Sequence, residues 1–321
     1  MAKKKLTIDT KKLQVQPIRN RVHDLNLSII KPLKPCDFDS VELRQVAKEI
    51  SLARKKCASI VMMMGAHVIR SGVQRYIIDL MANGYISCIA MNGAGVIHDF
   101  EFALIGATTE SVARYIKNGE FGMWRETGRI NDTVNKTIYS NTGFGEAVGQ
   151  EILEGDYPHK DISLLAQACK NKIPVTVHVG IGYDIIHQHP NFDGAATGAA
   201  SYRDFLKFAE ILLNLENGVV LNFGSAVMAP EVFLKALSMA RNIADQNGKS
   251  IGKFTTLVCD LHEMPGDYSI EPSKDSPGYY FRPWKTMIVR TTLDGGRGYY
   301  IKGRHEETIP SLWSALKSQK N

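Results

Sequence analysis

Apolar runs alternate with amphipathic stretches along the chain from residue 40 onward. A short apolar run is typical of a buried strand, whereas apolar residues three and four positions apart predict a helix. We therefore predict strands at 58–64, 86–91, 174–179, 218–223, 254–259 and 298–302, with helices at 40–56, 71–84, 164–169, 202–215, 230–245 and from about 308. Strands joined by helices of this length favour right-handed crossovers, so the pattern predicts the α/β class, with a parallel sheet covered by helices on both faces.

The predicted elements form one unit. No linker-like stretch and no change of composition marks a second core, so we predict a single α/β domain at residues 40–321 after an N-terminal arm at residues 1–39. Segment 262–297 carries four prolines and many polar residues. We expect an extended excursion there, serving as a lid or a subunit contact.

Composition and charge exclude several classes of protein. The chain has 321 residues, of which 44% are hydrophobic and 22% charged, as in globular proteins. The net charge of +6 lies within residues 1–21, and the rest is neutral, which argues against a nucleic-acid partner. We interpret the basic arm as solvated or as a subunit contact, with phosphate binding as the alternative.

Apolar runs and cysteines indicate the compartment. No apolar run is long enough to span a membrane, and the N-terminus lacks the apolar core of a secretory signal, so we expect no membrane partner. The five cysteines are widely spaced and form no CxxC pair. We therefore expect a reduced, cytoplasmic protein.

Candidate chemistry is expected in the loops after the strands, because open parallel sheets bind ligands beyond their carboxyl ends. The first of these loops carries His67 and Ser71. It suits an anion such as a pyrophosphate, although a strand-to-helix turn capped by Ser71 explains it equally well. A later loop brings Gly224 and Ser225 to a strand end, where backbone amides could hold a phosphate.

A second glycine-containing loop begins at Asn92. Its GxG spacing, Gly93 and Gly95, suits close approach of a dinucleotide to the backbone, although GxG alone is a weak motif. His98, Asp99 and Glu101 follow within about one helical turn, which is more polar chemistry than a helix cap requires.

The loop after the 174–179 strand is the richest in titratable groups. His178, Asp184, His187 and His189 lie close together, and in an extended chain the last two histidines face the same way. Imidazoles with a carboxylate bind divalent transition metals, and they also serve as acid and base near neutral pH. The residues alone do not decide between a metal site and a site of acid–base catalysis.

Several motifs, in order, resemble the deoxyhypusine synthase family. They are Arg70-Ser-Gly-Val-Gln, Met91-Asn-Gly-Ala-Gly-Val-Ile-His-Asp-Phe, Glu120-Phe-Gly, Asn171-Lys-Ile-Pro-Val and Asn222-Phe-Gly-Ser-Ala-Val. No single motif is specific, but their order and spacing match over about residues 40–318.

The resemblance implies a Rossmann-like fold that binds NAD, and a homotetramer with sites at subunit interfaces. In that family NAD takes a hydride from a polyamine, and an aminobutyl group passes through an enzyme lysine to a protein acceptor. Carried over by position, the residues expected to line NAD are Ser71, Gly72, Asn92, Gly93, Gly95, Gly224 and Ser225. Asp184 matches an aspartate that holds the amine, and His98 stands where the family has an acid.

The chain departs from the family at two catalytic positions. The helix after the Gly224 loop starts Ala229-Pro-Glu-Val in place of a histidine-rich start, and Trp284-Lys285 only loosely matches the segment of the lysine nucleophile. We therefore predict an NAD-dependent, deoxyhypusine synthase-like transferase that acts on another small-molecule amine, with no metal. The predicted catalytic residues are His98, Asp99, Asp184, His187 and His189.

Two other classes of function remain as alternatives. One is a metal-dependent hydrolase on the same scaffold, in which His178, His187 and His189 activate water. The other is a non-catalytic interaction protein that binds its partner through the basic arm.

Overall fold

The computed structural model describes residues 8–264 and 267–319. Its strands are β1 (Leu25–Asn26), β2 (Ile60–Met64), β3 (Cys88–Asn92), β4 (Ala107–Thr108), β5 (Val175–His178), β6 (Val219–Phe223), β7 (Thr255–Asp260) and β8 (Arg297–Lys302). Its α-helices are α1 (Val41–Lys55), α2 (His67–Arg70), α3 (Gln74–Ala82), α4 (Gly93–Ile105), α5 (Val112–Tyr115), α6 (Arg129–Lys136), α7 (Phe144–Glu154), α8 (Leu164–Lys170), α9 (Gly194–Leu212), α10 (Met228–Gln246) and α11 (His305–Ser318). The lysine run Lys3–Lys5 of the predicted arm lies outside the described residues.

Six parallel strands form the central sheet in the order β5-β3-β2-β6-β7-β8. The chain builds outward from β2 to β3 and β5, then returns to the other side of β2 and builds outward again from β6 to β8. The direction of winding therefore reverses between β2 and β6, where Met64 pairs with Phe223. This doubly wound order is that of a Rossmann-like sheet, and the predicted α/β class is confirmed.

Both faces of the sheet are buried. Successive strand residues point to opposite faces, so Met62 packs in one core while Val61 and Met63 pack in the other. Helices α1, α3, α4, α8 and α11 contribute to the first core, and α9, α10 and a π-helix at Trp284–Val289 to the second. Burial on both sides explains why these strands are continuous apolar runs rather than alternating ones.

Three stretches differ from the predicted elements. The Gly93–Gly95 run forms the first turn of α4 rather than a loop, and α9 starts at Gly194, well before the predicted start at 202. Segment 262–297 contains the buried π-helix and is not extended throughout. The small residues that open α4 and α9 carry little apolar periodicity, so the pattern does not show these helical turns.

The N-terminal segment packs against the domain from Gln16 onward, which differs from a solvated arm, one of the two interpretations given above. The Gln16 N–H donates to the Met123 carbonyl at 2.7 Å, and Arg21 is buried. Strand β1 then pairs with β4 in an antiparallel ribbon. A buried acidic partner for Arg21, described below, accounts for the difference.

No helix in the described ranges is long and apolar enough to cross a membrane.

The contact between α7 and the edge strand β5 gives a test of the packing. A Cβ at Gly145 would clash with the carbonyl oxygen of Val175, whereas a Cβ at Gly198, on the exposed side of α9, would meet open space. We expect Gly145→Ala to lower the free energy of unfolding by about 1–3 kcal/mol through overpacking. The matched change Gly198→Ala should raise it by up to about 1 kcal/mol, because alanine favours helix. Urea unfolding measures both, and equal stability of the two variants would contradict this packing.

Candidate functional site

A cleft of about 880 Å³ lies where the winding reverses, at the carboxyl ends of the strands. Gly224 after β6, Asp260 of β7 and His305 at the start of α11 line it from the sheet side. Residues 28–32 of the N-terminal segment line it from the other side. We call it the switch-point cleft, and its place in the fold is where doubly wound sheets bind dinucleotides.

Bare backbone forms the floor of the switch-point cleft. Gly224 has φ 64°, in the left-handed region that favours glycine, and a Cβ there would clash with the imidazole of His305. A Cβ at Gly65 would clash with the Gly224 carbonyl. Glycine at these two positions therefore allows the two loops and His305 to pack closely together at the floor of the cleft.

Nitrogen donors line the same cleft. Arg70 Nη1 donates to His67 Nε2 at 3.1 Å, and burial followed by the Arg70 charge lowers the pKa of His67. Within the described part of the chain, buried Arg70 Nε and His305 Nδ1 have no hydrogen-bond partner. Orphaned buried nitrogens of this kind suit the oxygens of an anionic ligand such as a dinucleotide phosphate.

A second cavity, of about 220 Å³, adjoins the switch-point cleft at Arg70, which lines both. We call it the inner pocket. Its polar lining comes from the N-terminal segment, from the end of α2, from α4, from the segment after β4 and from the loop after β5. The residues are Arg21, Arg70, His98, Glu101, Thr109, Glu110, Tyr183 and Asp184.

Asp184 places a buried carboxylate in the inner pocket. Burial raises its pKa to about 6, against the opposing effect of the Ala94 backbone N–H. A Cβ at Gly93 would clash with this carboxylate, so glycine lets the acid approach the start of α4. His187 Nε2 lies 3.7 Å from Asp184 Oδ2, while its Nδ1 accepts backbone N–H groups from Gly182 and Asp184.

His98 lies on α4, one turn before Glu101. Its Nδ1 is 2.8 Å from Thr108 Oγ1, and burial lowers its pKa to about 4. The imidazole is therefore neutral at physiological pH. Glu101 receives two hydrogen bonds from Arg21, at 2.9 and 2.8 Å, in an ion pair whose side chains are each 1% exposed.

Two further groups of the inner pocket carry signs of functional constraint. Glu110 is buried and accepts from the Gly122 N–H and from Trp124 Nε1, and burial raises its pKa. Thr109 has φ 68°, which is strained for a β-branched residue, and its hydroxyl finds no partner among the described residues. Backbone strain and an unsatisfied hydroxyl at one residue are typical of a ligand site.

Asp99 has a structural role and does not line either cavity. Its carboxylate accepts from Ser163 Oγ at 2.5 Å and from the N–H groups of Leu164 and Leu165, at the start of α8. Burial raises its pKa to about 6 and these hydrogen bonds oppose the shift. Residues 98 and 99 are adjacent on α4, so their side chains point to different sides of the helix.

The histidines of the loop after β5 do not converge. The chain at Ile185–Gln188 is a 3-10 helix rather than extended, so the condition under which His187 and His189 would face the same way is not met. His189 Nε2 lies 2.6 Å from the Gly122 carbonyl, and His178 contacts Thr176 and the Phe208 ring. In the described ranges no group of three or more metal-ligating side chains forms, so the hydrolase alternative is not favoured.

Of the residues expected to line NAD, Ser71 and Gly224 line the switch-point cleft. The others make contacts within the fold. Asn92 caps α4 by accepting from the Gly95 N–H, a Cβ at Gly72 would clash with the Ile29 carbonyl, and Ser225 Oγ accepts from the N–H of Ala229.

Arg21, Arg70, Thr109 and Glu110 line the cavities but were not predicted as site residues. Arg70 begins one of the motifs that resemble the deoxyhypusine synthase family. No motif contains Arg21 or Glu110, which line the inner pocket because they are buried against other parts of the chain, at Glu101 and Trp124.

Comparisons with known proteins agree with this fold. Residues 44–158 match the family described as arginine dihydrolase ArgZ-like, C-terminal, Rossmann fold. The chain is 24% identical to a deoxyhypusine synthase-like protein of Elusimicrobium minutum, over 79% of this chain and 73% of that protein. The resemblance to the deoxyhypusine synthase family is confirmed.

Solved structures show the same fold at low identity. A conserved LOR/SDH protein from Methanococcus maripaludis matches with a TM-score of 0.50 and 15% identity, covering 96% of this chain and 75% of that one. Cyanobacterial ArgZ, an arginine dihydrolase of the ornithine-ammonia cycle, matches with a TM-score of 0.51 and 14% identity, covering 88% of this chain. An AgrE variant in complex with L-arginine matches with a TM-score of 0.51 and 15% identity, also covering 88% of this chain. The chain spans about a third of the length of ArgZ and AgrE.

The raised pKa of Asp184 predicts a pH-dependent cost to stability. An acid with a higher pKa in the folded chain than in the unfolded chain destabilises the fold as pH rises above its ordinary value of 3.8, and the full cost is reached above about 6. We expect Asp184→Asn to raise the free energy of unfolding by about 1–3 kcal/mol at about pH 8, with the gain shrinking towards about pH 4.

Urea unfolding across this pH range measures the effect, with Asp161→Asn at an exposed position as the control. A destabilised Asp184→Asn at about pH 8 would show that the carboxylate supports the fold instead.

Proposed function

We propose that this chain is an NAD-dependent enzyme, similar to deoxyhypusine synthase-like proteins, that acts on the amine group of a small cationic substrate. The observation that carries the proposal is the pairing of the two cavities. A cleft with unsatisfied nitrogen donors adjoins, at Arg70, a pocket with buried carboxylates and a neutral imidazole.

The switch-point cleft suits a dinucleotide. Arg70 and His305 offer unpartnered nitrogens to the phosphates, and Gly224 lies in the same lining. Ser71 lies on the same wall. When bound, NAD supplies an acceptor for a hydride, chemistry that no side chain provides.

The inner pocket suits an ammonium group. Asp184 and Glu110 present carboxylates with little solvent around them, where attraction to a cation is stronger than in water. Of the two arginines in the lining, Arg21 is paired with Glu101, and Arg70 lies at the border with the switch-point cleft. The unpaired hydroxyl of Thr109 can accept a hydrogen bond from the amine. The pocket volume of about 220 Å³ suits the end of a substrate rather than a large molecule.

Oxidation of a C–N bond requires the amine to lose a proton. A substrate ammonium is inert until one N–H proton leaves, and the carbon next to nitrogen then gives up a hydride as the C=N bond forms. Asp184, with a pKa of about 6, and neutral His98 are both able to take that proton near neutral pH. When a second amine adds to the imine carbon, the same groups can return the proton to the first amine, which leaves as its C–N bond breaks and the C=N bond forms again with the second amine.

The lysine-linked transfer implied by the family finds little support in the described residues. No lysine lines the inner pocket among them, and Lys31 lies at the switch-point cleft. Lys285 is buried with its ammonium over the Tyr279 ring, 3.3 Å from the centroid, and Lys302 pairs with Glu263. We therefore propose that transfer to an acceptor amine proceeds without an enzyme-bound lysine in the inner pocket.

The test is amine-dependent reduction of NAD, followed by the absorbance of the reduced nicotinamide. The panel holds polyamines, which the family resemblance suggests, and basic amino acids, since L-arginine is the ligand of the AgrE structure. We expect one class to drive reduction, and Asp184→Asn and His98→Gln each to lower kcat/KM by about 100-fold or more. NAD affinity should change little in these variants.

Asp161→Asn, an exposed carboxylate outside both cavities, is the matched control and should keep full activity. The proposal fails if no amine in the panel reduces NAD, or if Asp184→Asn turns over as fast as the control.

A further inference from the structure

We propose that Arg21 is a positioning residue that holds the proton of His98 on Nδ1, acting through Glu101 and Thr108. The catalytic meaning of this arrangement rests on the proposed function, since His98 then offers Nε2 as a base in the inner pocket. The arrangement itself is independent of turnover and can be observed without substrate.

The side chains form one continuous chain of hydrogen bonds. Arg21 donates to both oxygens of Glu101, at 2.9 and 2.8 Å. Thr108 Oγ1 donates to Glu101 Oε2 at 2.6 Å and lies 2.8 Å from His98 Nδ1. Thr127 Oγ1 donates to the other oxygen, Oε1, at 2.7 Å.

The single hydrogen of the Thr108 hydroxyl decides the direction of these bonds. A carboxylate without a proton accepts only, so the hydroxyl hydrogen points at Glu101. Towards His98 the Thr108 oxygen can then only accept, which requires Nδ1 to carry the proton. In a neutral imidazole the second nitrogen, Nε2, keeps its lone pair.

Arg21 is what keeps Glu101 ionised. Burial alone raises the pKa of this carboxyl, but the charge and hydrogen bonds of Arg21, followed by those of Thr108 and Thr127, lower it below its ordinary value. Without Arg21 a buried, uncompensated carboxylate takes up a proton. The protonated acid can donate to Thr108, the hydroxyl then turns towards His98, and the imidazole proton moves to Nε2.

His98 has no other ionised neighbour that replaces this control within the described residues. Glu101, Arg70, His67 and Arg21 act on its charge, and Asp184 and Glu110 line the same pocket. Of these groups, Glu101 reaches the Nδ1 side, through Thr108.

The N-terminal segment contacts both cavities. Arg21 belongs to the segment that also lines the switch-point cleft at residues 28–32. The same stretch of chain therefore lines the switch-point cleft and, through Arg21, fixes the tautomer of His98 in the inner pocket.

The experiment reads the tautomer of His98 by long-range proton–nitrogen NMR of the full chain with labelled histidine, at neutral pH. The signal is assigned by its loss in His98→Gln. We expect the Nδ1–H form in the wild type and in Thr127→Val, the matched control that removes a Glu101 hydrogen bond on the side away from His98. We expect the Nε2–H form in Arg21→Met.

Two further variants keep the test decisive. Thr108→Val should lose the preference for Nδ1–H, and Thr108→Ser, which keeps the hydroxyl, should restore it. If Arg21→Met does not fold, Arg21→Gln replaces it with the same expected change. The Nε2–H form in the wild type, or the Nδ1–H form in the Arg21 variant that folds, would overturn the proposal.

The activity arm separates this inference from the proposed function. With an active amine, the Arg21 variant should lose about 100-fold or more in kcat, as expected for a base in the wrong tautomer. If the Arg21 variant changes the tautomer of His98 but the wild type shows no amine-dependent turnover, the role of Arg21 stands and the proposed function is refuted. If the wild type turns over an amine but the Arg21 variant leaves the tautomer unchanged, the proposed function stands and the role of Arg21 is refuted.

Discussion

The buried carboxylate of Glu101 is the point on which the architecture of the site depends. It joins α4 to Arg21 of the N-terminal segment, to Thr108 of the following strand β4 and to Thr127. Removing one member of a buried ion pair costs several kcal/mol, because the remaining charge is left without a partner. The N-terminal segment, which lines both cavities, is therefore held in place by the same carboxylate that reaches His98 through Thr108.

The sheet could be predicted from sequence because strands that are buried on both faces consist of mostly apolar runs. Strand β6, for example, is Val-Val-Leu-Asn-Phe and is buried throughout. The early start of α9 and the packing of residues 16–32 could not be predicted. The first turns of α9 consist of small residues that carry little apolar periodicity. The packing of residues 16–32 depends on partners far along the chain, such as Glu101 for Arg21.

The candidate site shows the same division. Position after a strand placed His98 and Asp184 correctly at the carboxyl edge, and both line the inner pocket. Position after the strand could not show that His98 lines the pocket while its neighbour Asp99 holds the start of α8. Which of two adjacent side chains points into the pocket depends on how α4 is rotated about its axis. The histidine-rich loop suggested a metal because its residues are close in sequence, yet the 3-10 turn directs His187 and His189 to different partners.

The central claim is that the switch-point cleft holds NAD, and its most direct test is to identify what the purified chain retains. The chain is incubated with NAD, passed through gel filtration and denatured, and the released molecules are measured by mass spectrometry together with elemental analysis. The account predicts about one NAD per chain and no stoichiometric metal, consistent with the unsatisfied donors Arg70 and His305. A stoichiometric metal with no retained NAD would contradict it.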